Sequence, residues 1–193
     1  MADLAITRSA LAFAQSLARL LALFGGVVVL CMGIVTCLSV TGRALSGIGL
    51  GPITGDFELV ELGCAVAVFS FLPWCQVTRA HMRVDLIGPL VPESLYRWLG
   101  WLGDLVLTAF LALLLWRLWL GFGERFPYGT APVRELLGFG PPPFYTETTY
   151  ELQLPMWIAY GISALGMALA VLVSVIMLFQ SARPGARQTG APL

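Results

Sequence analysis

Few side chains in this sequence could support chemistry, and the first of them is its single histidine, His81. It lies in the stretch RAHMRVDL, four residues before Asp85 and close behind a long apolar segment. A zinc site needs several histidine, cysteine or carboxylate ligands at suitable spacing, and two-histidine haem ligation needs a second histidine. One histidine and one aspartate are too few for either site, so the residues alone favour an ordinary loop histidine.

Two charged residues, Asp104 and Arg117, lie inside an apolar segment, where charges are functional candidates by default. They are thirteen residues apart, which places them on roughly opposite faces of a helix, so they cannot pair with each other. We expect Asp104 to make an interhelical or interfacial hydrogen bond. We expect Arg117, which lies between two tryptophans, to reach the membrane surface as an anchor.

The composition is that of an integral membrane protein. Of the 193 residues, 58% are hydrophobic and only 11% are charged, whereas soluble domains are about 25% charged. The net charge is zero and every cation is an arginine, so no nucleic-acid partner is expected. No C-x-x-C motif is present, and cysteines in apolar segments usually behave as small hydrophobic residues; they are Cys31, Cys37, Cys64 and Cys75.

Four apolar segments are long enough to cross a bilayer, which takes about 20 residues per helix. They are residues 17–41, 57–77, 98–122 and 155–179. Backbone groups in lipid must be satisfied internally, so helices are expected. The sequence therefore predicts an all-α integral membrane fold in a single domain over residues 1–193. Residues 1–16 could form an N-terminal interfacial helix, and residues 181–193 a flexible tail.

The arginines predict the orientation, because cytoplasmic loops are enriched in positive charge. Seven arginines lie in the N-terminal segment, the second loop and the C-terminal tail, and three lie in the first and third loops. Both termini should therefore be cytoplasmic. The third loop, about residues 123–154, is long and should then lie outside, where loops of this length are functional or mobile.

Two further patterns indicate contacts between helices. Arg43 ends the first span, and Glu58 and Glu61 begin the second on the same side, so an Arg43–glutamate pair could join these spans. Small residues also recur on one face of the second and fourth spans. Such stripes let helices approach closely in lipid, and a spare stripe suggests a membrane partner; the residues are Gly63, Ala67, Ser70, Ala159, Ser163, Gly166, Ala170 and Ser174.

With these features the chain resembles a known family, the small membrane subunit (DctQ or SiaQ type) of tripartite ATP-independent periplasmic (TRAP) transporters. The resemblance extends from about residue 17 to 180 through the stretches VTGRALSG, GDFELVELGCAVAVFSFLPW, RAHMRVDL and LQLPMWIAYGISALGMAL. Its most specific parts are an acidic residue at the start of the second span and a following His-x-x-Val-Asp. The matching residues are Arg43, Glu58, His81, Val84, Asp85, Leu154, Pro155 and Trp157.

The resemblance implies a four-helix scaffold or stator subunit in the bacterial inner membrane, not an enzyme, without cofactor or metal. Its partners would be membrane lipids, a large multi-span permease subunit and a periplasmic substrate-binding protein. Transport of organic acids would be driven by an ion gradient. His81 and Asp85 would fix the turn into the third span. The third loop looks longer than is usual in the family.

Readings from other classes remain open beside this one. A four-helix membrane anchor of a haem or quinone oxidoreductase suits the number of spans but not the single histidine. A four-span thiol oxidase would need cysteine pairs in the outer loops. A stand-alone small transporter would need paired intramembrane charges. The substrate cannot be read from this sequence, so dicarboxylates, sugar acids and other organic acids all remain possible.

Overall fold

The computed structural model describes residues 2–78 and 92–181. Its long helices, the four that are apolar enough to cross a membrane, confirm the predicted all-α class. A short helix, which the sequence reasoning did not predict, lies in the third loop. The helices are α1 (Ala2–Ala44), α2 (Asp56–Val77), α3 (Glu93–Arg125), α4 (Ala131–Leu136) and α5 (Met156–Ser181), with a 3-10 turn at Ser46–Ile48.

The helix ends lie where the local sequence favours them. Gly55, which precedes α2, adopts a left-handed backbone with φ of 75°, and the acidic residues in the first turn of α2 complement the helix dipole. Pro92 precedes α3, and α3 ends at Arg125, two residues before a proline that cannot continue it. Pro155 precedes α5 in the same way.

The N-terminal segment does not form a helix of its own. α1 runs from Ala2 to Ala44 without interruption, and its 43 residues extend over about 65 Å. The interfacial helix expected over residues 1–16 is therefore the first part of the same helix as the first span. The physical reason is that no glycine or proline precedes Gly25 to end the helix earlier.

The long helices are arranged around a central pair. α2 packs on both α1 and α5, and α3 packs on α5. A buried cluster of Leu111, Met167 and Ala170 fills the space where α3 and α5 meet, and Phe69 and Leu72 of α2 pack against it. α1 and α3 lie on the outer sides of this pair, and most of their large apolar side chains are exposed.

The polar contacts of the first and third loops lie at one end of this bundle. There α1 ends, α2 begins, α3 ends and α5 begins, and the segments 45–55 and 126–155 connect them. We call this end the loop end. The other end, where α2 and α5 finish and α3 begins, is called the opposite end.

Candidate functional site

At the loop end, Asp56 joins the first two spans. Its carboxylate accepts a hydrogen bond of 2.6 Å from the hydroxyl of Ser39, which is buried in α1, and lies 3.7 Å from Nη2 of Arg43. The cation expected to pair with a glutamate thus pairs with an aspartate. Two acidic residues in the first turn of α2 were available to Arg43, and the preceding glycine turn brings Asp56 to the end of α1.

Glu58, the acidic residue of the family motif, holds the third loop instead. Its two carboxylate oxygens accept the backbone N–H groups of Glu151 and Leu152, at 2.7 and 3.0 Å. These residues form the tip of a narrow turn that closes between Glu147 and Met156 through backbone hydrogen bonds. Because the turn leads directly through Pro155 into α5, Glu58 fixes the start of α5 relative to α2.

The tip of this turn also needs the glycine before α2. The side chain of Leu152 lies so close to Gly55 that a Cβ there would overlap it. The positive φ of Gly55 disfavours any other residue independently. Gly55 and Glu58 therefore form one receptor for the turn, the first by leaving space and the second by accepting hydrogen bonds.

Arg125 connects the end of α3 to the same turn. Its Nε lies 2.8 Å from a carboxylate oxygen of Glu147, an ion pair rather than an aligned hydrogen bond. The guanidinium lies 4.6 Å from the centre of the Tyr160 ring on α5, a cation–π contact. The ends of α3 and α5 are thus joined through one arginine.

Arg134, in the third loop, is a residue that the sequence reasoning missed. It is only 2% exposed, and its guanidinium donates to five backbone carbonyls. The bonds are 2.6 Å to Phe126, 2.9 Å to Gly123, 2.9 Å to Gly140, 3.1 Å to Tyr128 and 3.3 Å to Pro141. The planar group with five donors suits such a ring of acceptors. Arg134 therefore holds the first half of the third loop in one conformation, and nothing in the local sequence signals this.

The small-residue stripes correct an expectation. They were predicted as candidates for contact with a partner, but most are buried between helices of this chain. A Cβ on Gly166 would meet the backbone carbonyl of Phe69, so α5 and α2 touch here through their backbones. Two of the eight, Gly63 and Ala159, are half-buried, and Gly63 lies against Met32 of α1. The buried members are Ala67, Ser70, Ser163, Gly166, Ala170 and Ser174.

Near the opposite end, buried polar side chains join three spans. The hydroxyls of Thr108 and Ser174 lie 2.7 Å apart, and Gln76 of α2 donates to Ser174 at 3.0 Å. The Asp104 carboxylate accepts a bond of 2.8 Å from Ser181. The interhelical hydrogen bond expected for Asp104 is therefore present. Gln76 and Thr108 were missed, although both are polar residues within apolar segments.

The remaining intramembrane candidates lie on outer surfaces. Arg117 is exposed on α3, next to the exposed Trp116. Cys31, Cys37 and Cys64 are also exposed on the apolar spans, and Cys75 is half-buried. In the described part of the chain, no three histidine, cysteine or acidic residues lie together as metal ligands would.

Part of the family motif lies outside the described residues. This applies to His81, Val84 and Asp85, and to the tail beyond Ser181. Within residues 2–78 and 92–181, the polar geometry joins helices to each other and to loops.

Comparison with known proteins identifies the family of the chain. The profile of a family described as tripartite ATP-independent periplasmic transporters, DctQ component, matches residues 32–184. The match includes α2, α3, α5 and the third loop with its Glu58 and Arg125 contacts. No curated protein and no solved structure matches the chain. The chain therefore belongs to the DctQ family, the small permease subunits of TRAP transporters.

Proposed function

We propose that this chain is the scaffold or stator subunit of an ion-gradient-driven transporter that imports organic acids. It would act with a large multi-span permease subunit and a periplasmic substrate-binding protein. The observation that carries the proposal is the family match over residues 32–184. The proposed site residues are those of the motif: Arg43, Glu58, His81, Val84, Asp85 and Pro155.

A scaffold role is supported by what the polar groups do. The carboxylates of Asp56 and Glu58, and the guanidiniums of Arg125 and Arg134, bind groups of the same chain. Each contact fixes a loop or a helix end, which a stationary subunit needs if its partner moves against it. The exposed apolar side chains of α1 and α3 offer surface to lipid and to a membrane partner.

The proposed location is the bacterial inner membrane, with both termini in the cytoplasm. The excess of arginines on the side of the N-terminus, the second loop and the tail supports it. The loop end would then face the periplasm. A cysteine introduced at the exposed Tyr150 should react with a membrane-impermeant thiol reagent in intact spheroplasts, and one introduced at residue 190 should react only after lysis.

The alternative of an oxidoreductase anchor is favoured by no observation on the described residues. It depends on His81 as an axial ligand of haem. A haem-bound form would show a strong Soret band at the violet end of the visible spectrum. An absorbance spectrum of the chain purified from its host tests this alternative.

The proposal is tested by deleting the chain in its host and measuring growth on single carbon sources. The panel should contain dicarboxylates, sugar acids and neutral sugars. We expect growth to be lost on one class of organic acid and restored by the intact chain, and uptake of that acid to stop when an ionophore collapses the ion gradients. Unchanged growth on every acid, or equal loss on all respiratory substrates, would argue for another function.

A further inference from the structure

The first half of the third loop turns back along α3 toward the membrane. The indole nitrogen of Trp119 donates to the backbone carbonyl of Leu137, at 3.1 Å. Trp119 lies six residues before Arg125, the last residue of α3, which corresponds to about 9 Å along the axis. Side chains on a helix lean toward its N-terminus, so the indole lies lower still. Leu137 is therefore level with residues 116–119 of α3, a segment that includes Arg117, and lies well below Arg125 at the end of the helix.

The returning segment packs closely against α3. The ring of Phe139 is buried and lies 5.0 Å from the ring of Trp119, centre to centre. A Cβ on Gly123 would overlap Phe139, so the ring lies directly on the backbone of α3. Together with the carbonyl contacts of Arg134, these interactions hold α4 at a defined height beside α3.

At that height α4 presents an apolar face. At 100° per residue, Val133, Leu136 and Leu137 lie within a narrow arc. They are 48%, 87% and 40% exposed. Glu135 lies on the other side of the helix, and Arg134 is turned inward to its carbonyls. We call Val133, Leu136 and Leu137 the return face.

We propose that the return face inserts into the lipid at the boundary between headgroups and acyl chains, on the side of the loop end. The occupant is lipid because the face adjoins Trp119, which donates to the Leu137 carbonyl and is itself exposed on α3 like Trp116, and tryptophan side chains favour this boundary. The short helix is also amphipathic in the required sense, with its one exposed carboxylate directed away from the apolar face. The proposal depends on α3 crossing the membrane and is independent of what the protein transports.

The consequence is a second anchor for the subunit. The four spans leave its height in the bilayer adjustable by tilt. An inserted return face would fix the height of the loop end, and with it the position of the turn bound by Glu58. The charge of Arg134 does not oppose the insertion of α4, because its guanidinium is hydrogen-bonded to backbone carbonyls of the loop and does not face the lipid.

The test is a depth measurement with a nitroxide spin label on the full chain in nanodiscs of phosphatidylethanolamine and phosphatidylglycerol. The four native cysteines are replaced by alanine, and a label is introduced by Leu136→Cys. Power saturation compares collisions with oxygen, which concentrates in the bilayer, and with a water-soluble nickel chelate. We expect oxygen to dominate at residue 136.

The matched control is Tyr150→Cys, a position in the same loop that is 91% exposed but lies next to Glu151, at the turn bound by Glu58. There the nickel chelate should dominate. Val133→Cys repeats the test if the first variant does not fold. A label at residue 136 that meets the nickel chelate as readily as the control would overturn the proposal. So would a label shielded from both reagents in the complex with a partner subunit, since a protein would then cover the face.

Discussion

Replacing Arg134 by alanine should release the first half of the third loop while the spans stay assembled. The guanidinium joins carbonyls on both sides of α4, from Gly123 at the end of α3 to Pro141 beyond it. Without it these acceptors lose a common donor. The contacts of α5 with α2 and of α2 with α1 involve none of these groups, so the fold should persist.

The hydrogen bonds of Arg134 set the free energy by which the substitution destabilises the closed loop. A hydrogen bond to a charged group contributes about 1.5–3 kcal/mol net. Three of the five bonds are 2.9 Å or shorter, and water will replace part of each once the loop opens. Counting only these three, near the lower value and less the part that water replaces, gives a local loss of about 3–4 kcal/mol. At about 1.4 kcal/mol for each factor of ten, the open form of the loop becomes about 10²–10³ times more populated.

Hydrogen–deuterium exchange measures this directly. The amides of Val133, Leu137 and Phe139 donate to carbonyls within the segment, and their exchange should accelerate by about 10²–10³-fold in Arg134→Ala. In Arg134→Lys the exchange rates should lie between those of the unmodified chain and those of Arg134→Ala, because an ammonium keeps the charge but cannot reach all five carbonyls at once. Arg117→Ala, at an exposed arginine of α3, is the matched control and should leave these amides unchanged. If the loop amides exchange as slowly in Arg134→Ala as in the unmodified chain, the hydrogen bonds of Arg134 do not hold the loop in its conformation.

Three further substitutions test other contacts. Glu58→Gln should accelerate hydrogen exchange at the backbone amides of Glu151 and Leu152, which donate to the Glu58 carboxylate. The side-chain NH₂ of glutamine is a donor and cannot accept one of these two hydrogen bonds. Glu61→Gln, at an exposed residue of the same helix, should leave both amides unchanged. Gly166→Ala should lower stability in detergent by about 1–3 kcal/mol because its Cβ meets the α2 backbone; Gly103→Ala, in open space, should not, and equal melting temperatures for both variants would contradict the close approach. Ser174→Ala removes the hydroxyl that two other spans contact and should cost about 0.6–1.7 kcal/mol, measured in the same unfolding assay; no loss would mean that the buried glutamine and threonine find other partners.

The spans were predictable because they depend on composition alone. A segment of sufficient apolar length must become a helix in lipid whatever surrounds it. The helix expected over residues 1–16 is present, but it is continuous with the first span. Mild amphipathicity at residues 1–16 says where a helix can lie, but it does not interrupt a backbone that no glycine or proline breaks.

The contacts of the site were harder to predict because they depend on which chain segments meet. Asp56 and Glu58 are two residues apart and chemically alike. Asp56 nevertheless pairs with Arg43, whereas Glu58 binds the backbone of Glu151, ninety-three residues away in the sequence. The small-residue spacing around Gly166 correctly indicated a close neighbour, but spacing cannot say whether that neighbour belongs to the same chain. Arg134 gave no signal, because its partners are backbone carbonyls that every residue possesses.

The central claim, that this chain is a small permease subunit working with a large one, is tested most directly by affinity purification of the tagged chain from its host in mild detergent. Mass spectrometry and an absorbance spectrum of the preparation complete the measurement. We expect a stoichiometric multi-span membrane partner and a spectrum without a haem band. A chain that purifies alone, or together with redox subunits and a haem band, would contradict it.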